Sequence, residues 1–339
     1  MNRKLPYQFP LLILVLILCF CINISLGSVE IPFSATLGEL LGYRATEDSW
    51  SYIIWEYRLP KAFTAILVGG GLSLSGLLMQ TLFRNPLAGP FVLGISSGAS
   101  LGAALLILGG GIFSFGYVLI SDLALTLASS LGSILVLLTV VAVARRVKDT
   151  MALLIIGLMF ASITAAVVTI LSYFAKAEEL QQYIFWTFGT VGNLSSSQVI
   201  ILGVICFLGL LLSISTIKSL NALLLGESYA RSLGVRIGRS RNLIIIATGL
   251  LAGSVTAFAG PIAFIGLAVP HLTRQLFNTT DHRILVPGVV LYGAILLLLC
   301  DTIAQLPSSS YILPINAITS IVGAPVVIWL LLRRRNMIF

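Results

Sequence analysis

The sequence predicts an all-α, polytopic membrane protein. Three observations carry that prediction. Hydrophobic residues make up 58% of the 339 residues and charged residues only 9%, against roughly 45–50% and 25% in ordinary globular chains. Long apolar runs recur along the chain, and the basic residues gather between those runs. So little charge cannot cover the surface of a soluble protein of this size. A cytosolic enzyme, a secreted disulfide scaffold and a disordered chain are thereby excluded.

A hydrocarbon core ~30 Å thick needs about 20 apolar residues as helix. The runs 10–27, 60–83, 91–108, 117–144, 150–174, 198–217, 242–259, 284–305 and 314–332 are candidate spans. The first follows Arg3 and Lys4 and ends in Ser25-Leu26-Gly27, which also describes a cleavable signal peptide. Its length, and the lack of a clear small-x-small site after it, favour a retained span. The third run carries Gly94, Gly98 and Gly102 four residues apart, a row that lets helix backbones approach closely. Before it, Arg84-Asn85-Pro86-Leu87-Ala88-Gly89-Pro90 reads as a rigid turn. A shorter piece, 262–272, is bounded by Pro261 and Pro270. It fits a half-helix or re-entrant segment enclosed by protein. Counting it gives ten segments in one transmembrane domain over 1–339.

Charge supplies the orientation. Lys plus Arg is 20 and Asp plus Glu is 12, a net of +8. With the N-terminus in the cytoplasm and ten alternating segments, the inside holds Arg3, Lys4, Arg84, Arg145, Arg146, Lys148, Lys218, Arg231, Arg236, Arg239, Arg241, Arg274, Arg283, Arg333, Arg334 and Arg335. Only Arg44, Arg58, Lys61 and Lys176 fall outside. This is the positive-inside pattern, and it places both termini in the cytoplasm. It also accounts for the basic balance without nucleic acid. Two outer loops, 28–57 and 175–197, are long and acidic; the longest inner loop is 218–241.

The chain offers little chemistry of its own. No Lys follows a Gly, so there is no GK[ST] phosphate loop. Gly69-Gly70-Gly71 lies in an apolar run, and His271 and His282 lack HExxH spacing. Cys19, Cys21, Cys206 and Cys300 sit in apolar stretches without a CxxC pair, where Cys behaves as a small hydrophobe. Asp122 and Asp301 lie near the outer ends of their spans, and the midplane carries no relay of ionisable groups. Energy for transport must then come from elsewhere. An ion- or proton-coupled secondary transporter is the alternative: the short 262–272 piece suits its broken helices, but the missing buried charges do not. The inner loop reads KSLNALLLGESYARSLGVRIGRSR, with Leu220, Leu223, Leu224, Leu225 and Leu233 set among charges and broken by Gly226 and Gly234. Those leucines must dock on the bilayer interface, on the protein's own helices or on a partner.

Four blocks make the sequence recognisable: 58–100 (RLPKAFTAILVGGGLSLSGLLMQTLFRNPLAGPFVLGISSGAS), 220–235 (LNALLLGESYARSLGV), 260–288 (GPIAFIGLAVPHLTRQLFNTTDHRILVPG) and 313–334 (LPINAITSIVGAPVVIWLLLRR). Together they resemble the permease subunit of type II ABC importers for iron chelates, haem and vitamin B12. The resemblance covers about residues 50 to 335, and ten spans is the family's number. It implies a permease that is itself no enzyme and holds no cofactor, with ATP and Mg on a separate ATPase. It implies a homodimer, two cytoplasmic ATPase subunits, an extracytoplasmic substrate-binding protein and an inner-membrane location. The cargo it suggests is a ferric siderophore first, cobalamin or haem next.

The resemblance also assigns residues. Leu220, Leu223, Leu224, Gly226, Glu227, Ala230, Leu233 and Gly234, within the loop 218–241, match the coupling helices that dock on the ATPase. Thr150 and Met151 match the cytoplasmic gate, and Arg58 and Lys61 match basic positions that dock the binding protein. Lys in place of Arg at 61 loses bidentate geometry, and a third basic position falls on Gln305. The fifth and tenth spans line the family's pathway, which points to Thr164, Thr169, Ser172, Asn316, Thr319 and Ser320. Ser and Thr also bond back to their own helix. His271 and Arg274 match an HLTR-like turn, where His271 is structural.

Overall fold

The computed structural model describes residues 7–27, 29–43, 47–109, 121–147, 149–305 and 311–332. Every regular element among the described residues is helical. α1 is Gln8–Ser25 and α2 is Phe33–Leu40. α3, Asp48–Tyr52, runs through a wide π turn at Ile53–Arg58 into α4, Leu59–Phe83. α5 is Ile95–Ile107, α6 Asp122–Arg146, α7 Thr150–Phe174, α8 Ala177–Thr187 and α9 Ser196–Ser215. Two short helices follow, α10 at Ile217–Leu223 and α11 at Glu227–Ser232. α12, Ile237–Thr248, passes through a second wide turn at Gly249–Gly253 into α13, Ser254–Ala259. α14 is Ile265–Phe277, α15 His282–Ala304 and α16 Ile315–Leu332.

Seven described stretches are long and apolar enough to cross a membrane: α1, α3–α4, α6, α7, α9, α12–α13 and α15. α5 and α16 are shorter apolar helices, and α14 has 13 residues. All ten segments read from the sequence thus fall on helices. Residues 117–120 of the fourth run lie outside the described residues, as do Arg3, Lys4, Arg44, Lys148 and Arg333 to Arg335.

α4 is the spine. From Val68 to Phe83 every residue is buried, with α15, α14, α9 and α12 packed around it. Its glycines explain how. A Cβ at Gly76 would overlap the carbonyl of Gly266 on α14, and one at Gly69 would overlap that of Gly293 on α15. No side chain fits where two backbones touch. The α5–α6 seam repeats this device: Gly98 abuts Gly132 and Gly102 abuts Ala128. Gly94, the first of the expected row, serves otherwise. It precedes α5 with φ +72°, where a side chain would be strained.

Prolines mark the irregular places. The wide turn at Ile53–Arg58 lies just before Pro60, whose ring lacks an N–H and crowds a regular preceding turn. The short segment expected at 262–272 is corrected to Ile265–Phe277, with Pro270 inside the helix rather than at its end. Its start is set by Phe264, at φ +66°, and by a distant residue: the Ala263 N–H donates to Asn316 Oδ1 at 3.0 Å. α2 and α8 are short helices within loops. α8 is fixed to α5 by a 2.7 Å hydrogen bond between Tyr183 and Ser100, and burial raises the Tyr183 phenol above its ordinary pKa.

The helices alternate, so α1 begins and α16 ends at the end of the bundle that carries α10 and α11. Phe9 of α1 packs on Phe277 there, with ring centroids 4.8 Å apart. Among the described basic residues, only Arg58, Lys61 and Lys176 lie at the opposite end. α1 is built into the bundle. Asn23 donates to Asp301 of α15 at 2.8 Å, and Arg58 donates to the carbonyls of Ile24 and Ser25.

Candidate functional site

The loop 218–241, expected to dock on an ATPase, has two faces. Leu220, Leu223 and Ala230 are buried against the bundle, and Leu224 is half-buried. Leu225, Tyr229 and Leu233 are exposed at 62%, 52% and 58%, an apolar patch flanked by Arg231 and Arg236. The five leucines therefore divide: some seat the loop, and the others face outward. Tyr229, which carries no assignment from the sequence, belongs to the outward set. The two glycines shape the turns. Gly226 has φ +100° and Gly234 has φ +80°, a left-handed region that side chains rarely adopt. Around Gly234 there is open space where a Cβ would stand.

Beneath the patch, α10 is pinned by a polar cluster. Asn221 Nδ2 donates to Asp281 Oδ1 at 2.8 Å. Asn221 Oδ1 accepts from the backbone N–H of His282 at 2.9 Å and from its Nδ1 at 2.7 Å. With Nδ1 as donor, the imidazole Nε2 is left to accept from the Thr81 hydroxyl at 2.8 Å. One asparagine thus joins the loop to α15 and, through His282, to α4. A neighbouring set holds the 84–90 turn: His271 Nε2 donates to the Pro86 carbonyl at 2.8 Å, and Arg274 donates to Gln80 Oε1 at 2.8 Å. Asn221 and Asp281 were invisible as site residues in the sequence. The one available signal was a polar residue set between Leu220 and Leu223.

The turn at Thr150 and Met151, expected as the cytoplasmic gate, lies beside α11. Asp149 caps α7 by accepting from the Met151 N–H at 2.9 Å. Next to it, the Thr150 hydroxyl donates to Glu227 Oε1 at 2.7 Å. Glu227 also faces Arg231 one turn on, at 3.9 Å. A cleft of about 790 Å³ opens here, lined by Arg84, Thr150, Met151, Gly226, Glu227 and Tyr229 among others. The expected gate and coupling residues therefore meet, although 77 residues separate Thr150 from Glu227.

At the opposite end the two expected basic residues have partners within the chain. Arg58 is buried, and its guanidinium donates to the carbonyls of Ile24, Ser25 and Val29. Lys61 Nζ sits 3.2 Å from Asp301 and is 17% exposed. Asp301 Oδ2 accepts further from Asn23 and, at 2.9 Å, from Gln305. A neutral donor at 305 suits a carboxylate already paired with a lysine. All four of Arg58, Lys61, Asp301 and Gln305 line a cleft of about 610 Å³, with Phe188 and Leu313 among its apolar walls.

The six hydroxyl and amide residues expected along the pathway are not gathered into one group. Thr169 is exposed, Ser172, Asn316 and Ser320 are half-buried, and Thr164 and Thr319 are buried within this chain. Thr169, Ser172, Thr319 and Ser320 each bond back to a carbonyl of their own helix. Asn316 holds the loop before α14.

A multi-pass helical bundle with a short two-helix loop at one end and a cleft at the other fits a membrane permease. The sequence pattern of the FecCD transport family matches residues 15–333, and the chain belongs to that family. Vitamin B12 import system permease proteins BtuC are similar to it. That of Salmonella paratyphi A is 41% identical over 281 residues, 83% of each chain. That of Salmonella typhi is 42% identical over the same shares. A solved structure described as a metal-chelate type ABC transporter in an inward-facing conformation superposes with a TM-score of 0.84 at 29% identity. The match covers 97% of this chain and 100% of that one. PsaBC from Streptococcus pneumoniae, at 17% identity and a TM-score of 0.56, shares the fold alone. The resemblance carried by the four sequence blocks is that of an ABC importer permease, and a secondary transporter is not favoured.

Proposed function

We propose that this chain is the permease subunit of an ATP-driven importer that carries vitamin B12, with a ferric siderophore as the second cargo and haem the third. The single observation behind the cargo is the identity of 41–42% to vitamin B12 permeases across 83% of the chain. It reverses the order suggested by the four blocks, which placed the siderophore first. The geometry and the family support the remaining parts of the reading. The end carrying α10 and α11 lies in the cytoplasm, with both termini, and the bundle sits in the inner membrane. Leu225, Tyr229, Leu233 and the open ground at Gly234 receive an ATPase, which holds ATP and Mg; this chain needs no cofactor. A second copy packs along α7 and α16 to form the pathway. An external binding protein docks at the Arg58 end, where Lys61 is the more accessible cation. ATP binding moves the docking loop, and the gate follows because each state makes different contacts.

The test is uptake of labelled cobalamin, a ferric siderophore and haem by cells with and without the gene. Loss of cobalamin uptake, restored by the wild type and not by Gly234→Trp, is the expected result. Loss confined to the siderophore selects the second cargo. Unchanged uptake of all three overturns the cargo proposal. Restoration by Gly234→Trp overturns the docking role of the loop.

A further inference from the structure

The cleft between α11 and the gate turn is bridged by a polar contact between a gate side chain and a docking-helix side chain. Thr150 is the first residue of α7, and its hydroxyl donates at 2.7 Å to Glu227, the first residue of α11. Both ends of this contact are held. Asp149 caps the start of α7 through the Met151 N–H, so the gate turn cannot rotate freely about Thr150. Gly226, at φ +100°, sets the direction in which α11 leaves. Ala230, one turn along α11, is fully buried and roots that helix. The nearby polar contacts run elsewhere: Asn221 ties α10 to α15, and Arg241 ties α12 to the last turn of α6 through the Ala144 carbonyl. Neither reaches α7. A push on Tyr229 or Leu233 can pass through α10 into the spine, and the Thr150–Glu227 bond offers it a direct polar path to the gate.

We infer that the Thr150–Glu227 hydrogen bond is a latch that couples the docking helix to the gate, with Glu227 as the positioning residue. This rests on the reading that α10–α11 receive an ATPase and that Thr150 and Met151 gate the pathway. Glu227 faces the gate with Oε1 and Arg231 with Oε2. A partner that draws Arg231 away changes the carboxylate's balance between the two. Docking and gating then share one side chain, and no backbone rearrangement is needed to connect them.

The chemistry requires a hydroxyl at 150 and an acceptor at 227. Thr150→Val keeps shape and removes the donor; Thr150→Ser keeps the donor. Glu227→Leu removes the acceptor; Glu227→Gln keeps an amide oxygen that can accept. The measurement is substrate carried per ATP hydrolysed, using the whole importer in vesicles, alongside binding of the ATPase to each variant. Thr150→Val and Glu227→Leu are expected to lower that ratio by about tenfold, the order of one lost hydrogen bond to a charged acceptor. ATPase binding to Thr150→Val stays within about twofold of the wild type, and Thr150→Ser and Glu227→Gln recover most of the ratio. The Thr150→Val/Glu227→Leu pair is expected to be no worse than either alone. An unchanged ratio in both disruptive variants, or effects that add in the pair, overturns the latch. Gly234→Trp separates the two readings. If it abolishes ATPase binding while Thr150→Val leaves coupling intact, the docking reading stands and the latch does not. If it binds the ATPase normally, the docking reading itself has failed.

Discussion

α4 and α7 are both apolar helices of 25 residues, yet they sit in opposite environments. In the apolar window of the α3–α4 stretch 83% of residues are buried; in that of α7 only 17% are. Mean hydropathy runs the other way, 1.8 against 2.5. The more apolar helix is the more exposed one. In water this would be upside down. In a bilayer the lipid is as apolar as leucine, and burial follows from close packing of small residues instead. α4 supplies Gly69, Gly70, Gly71, Ser73, Ser75 and Gly76 to its neighbours. α7 turns Ile155, Met159, Ile163 and Ile170 outward.

The largest expected effect is at the spine. Gly76→Leu places a side chain into the backbone of Gly266, where no rotamer relieves the overlap. Overpacking of ordinary cores costs about 1–3 kcal/mol, and this case belongs at or above the upper end because the obstacle is main chain. Purification in detergent followed by thermal unfolding should show little folded Gly76→Leu protein. A well-folded variant with an unchanged Tm would show that α4 and α14 are not in contact. Ile163→Leu on the outward face of α7 is the control and should leave Tm unchanged.

How far the sequence foretold this contrast depends on range. Spans and their alternation were legible, because apolar length and charge sidedness are local properties. So was the seam of Gly98 and Gly102. The boundaries of α14 were not. Pro261 and Pro270 suggested 262–272, but the helix begins where Asn316, 53 residues away, accepts from Ala263. α2 and α8 escaped notice because short helices in polar loops leave no long apolar run. At the coupling loop the leucine count was visible, but not which of them turn inward. Arg58 looked like an outward cation because its acceptors, the carbonyls of Ile24 and Ser25, belong to backbone more than 30 residues earlier. Long-range partners of this kind leave no trace in spacing.

A middle-sized effect should come from the ion pair at the base of the spine. Asp301 is 2% exposed and relies on Lys61 for its charge balance. Among the described residues, Lys61→Met leaves the buried carboxylate with the neutral donors Asn23 and Gln305. Removing one partner of a buried pair typically costs about 3–5 kcal/mol, and the low end applies here because those donors and the adjoining cleft remain. Lys61→Met/Asp301→Leu should recover much of the lost stability, since replacing both charges removes the desolvation problem. A double variant as unstable as the single would mean that Asp301 matters for its hydrogen bond to α1 more than for its charge.

The smallest effect on the isolated chain, and the sharpest on its assembly, is expected on α7. Ala166 lies on the exposed face between Ile163 and Ile170. Ala166→Trp adds apolar volume that lipid accommodates without cost, so Tm of the monomer should move by less than about 0.5 kcal/mol in equivalent stability. A helix face that meets a second copy has no such freedom, because interface packing is as dense as a protein interior. With the second copy on α7 as proposed, mass measurement in nanodiscs should find a dimer for the wild type and a monomer for Ala166→Trp. The matched change on the outward face of α6, Leu131→Trp, should leave the dimer intact, since Leu131 is 62% exposed on a helix outside the proposed α7–α16 interface. If both variants remain dimeric, the low burial of α7 reflects lipid contact, and the second copy packs elsewhere. If Leu131→Trp is the one that dissociates, α6 rather than α7 carries the interface. The exposed apolar surface of the two helices looks alike, and only the response to added volume tells a lipid-facing surface from a protein-facing one.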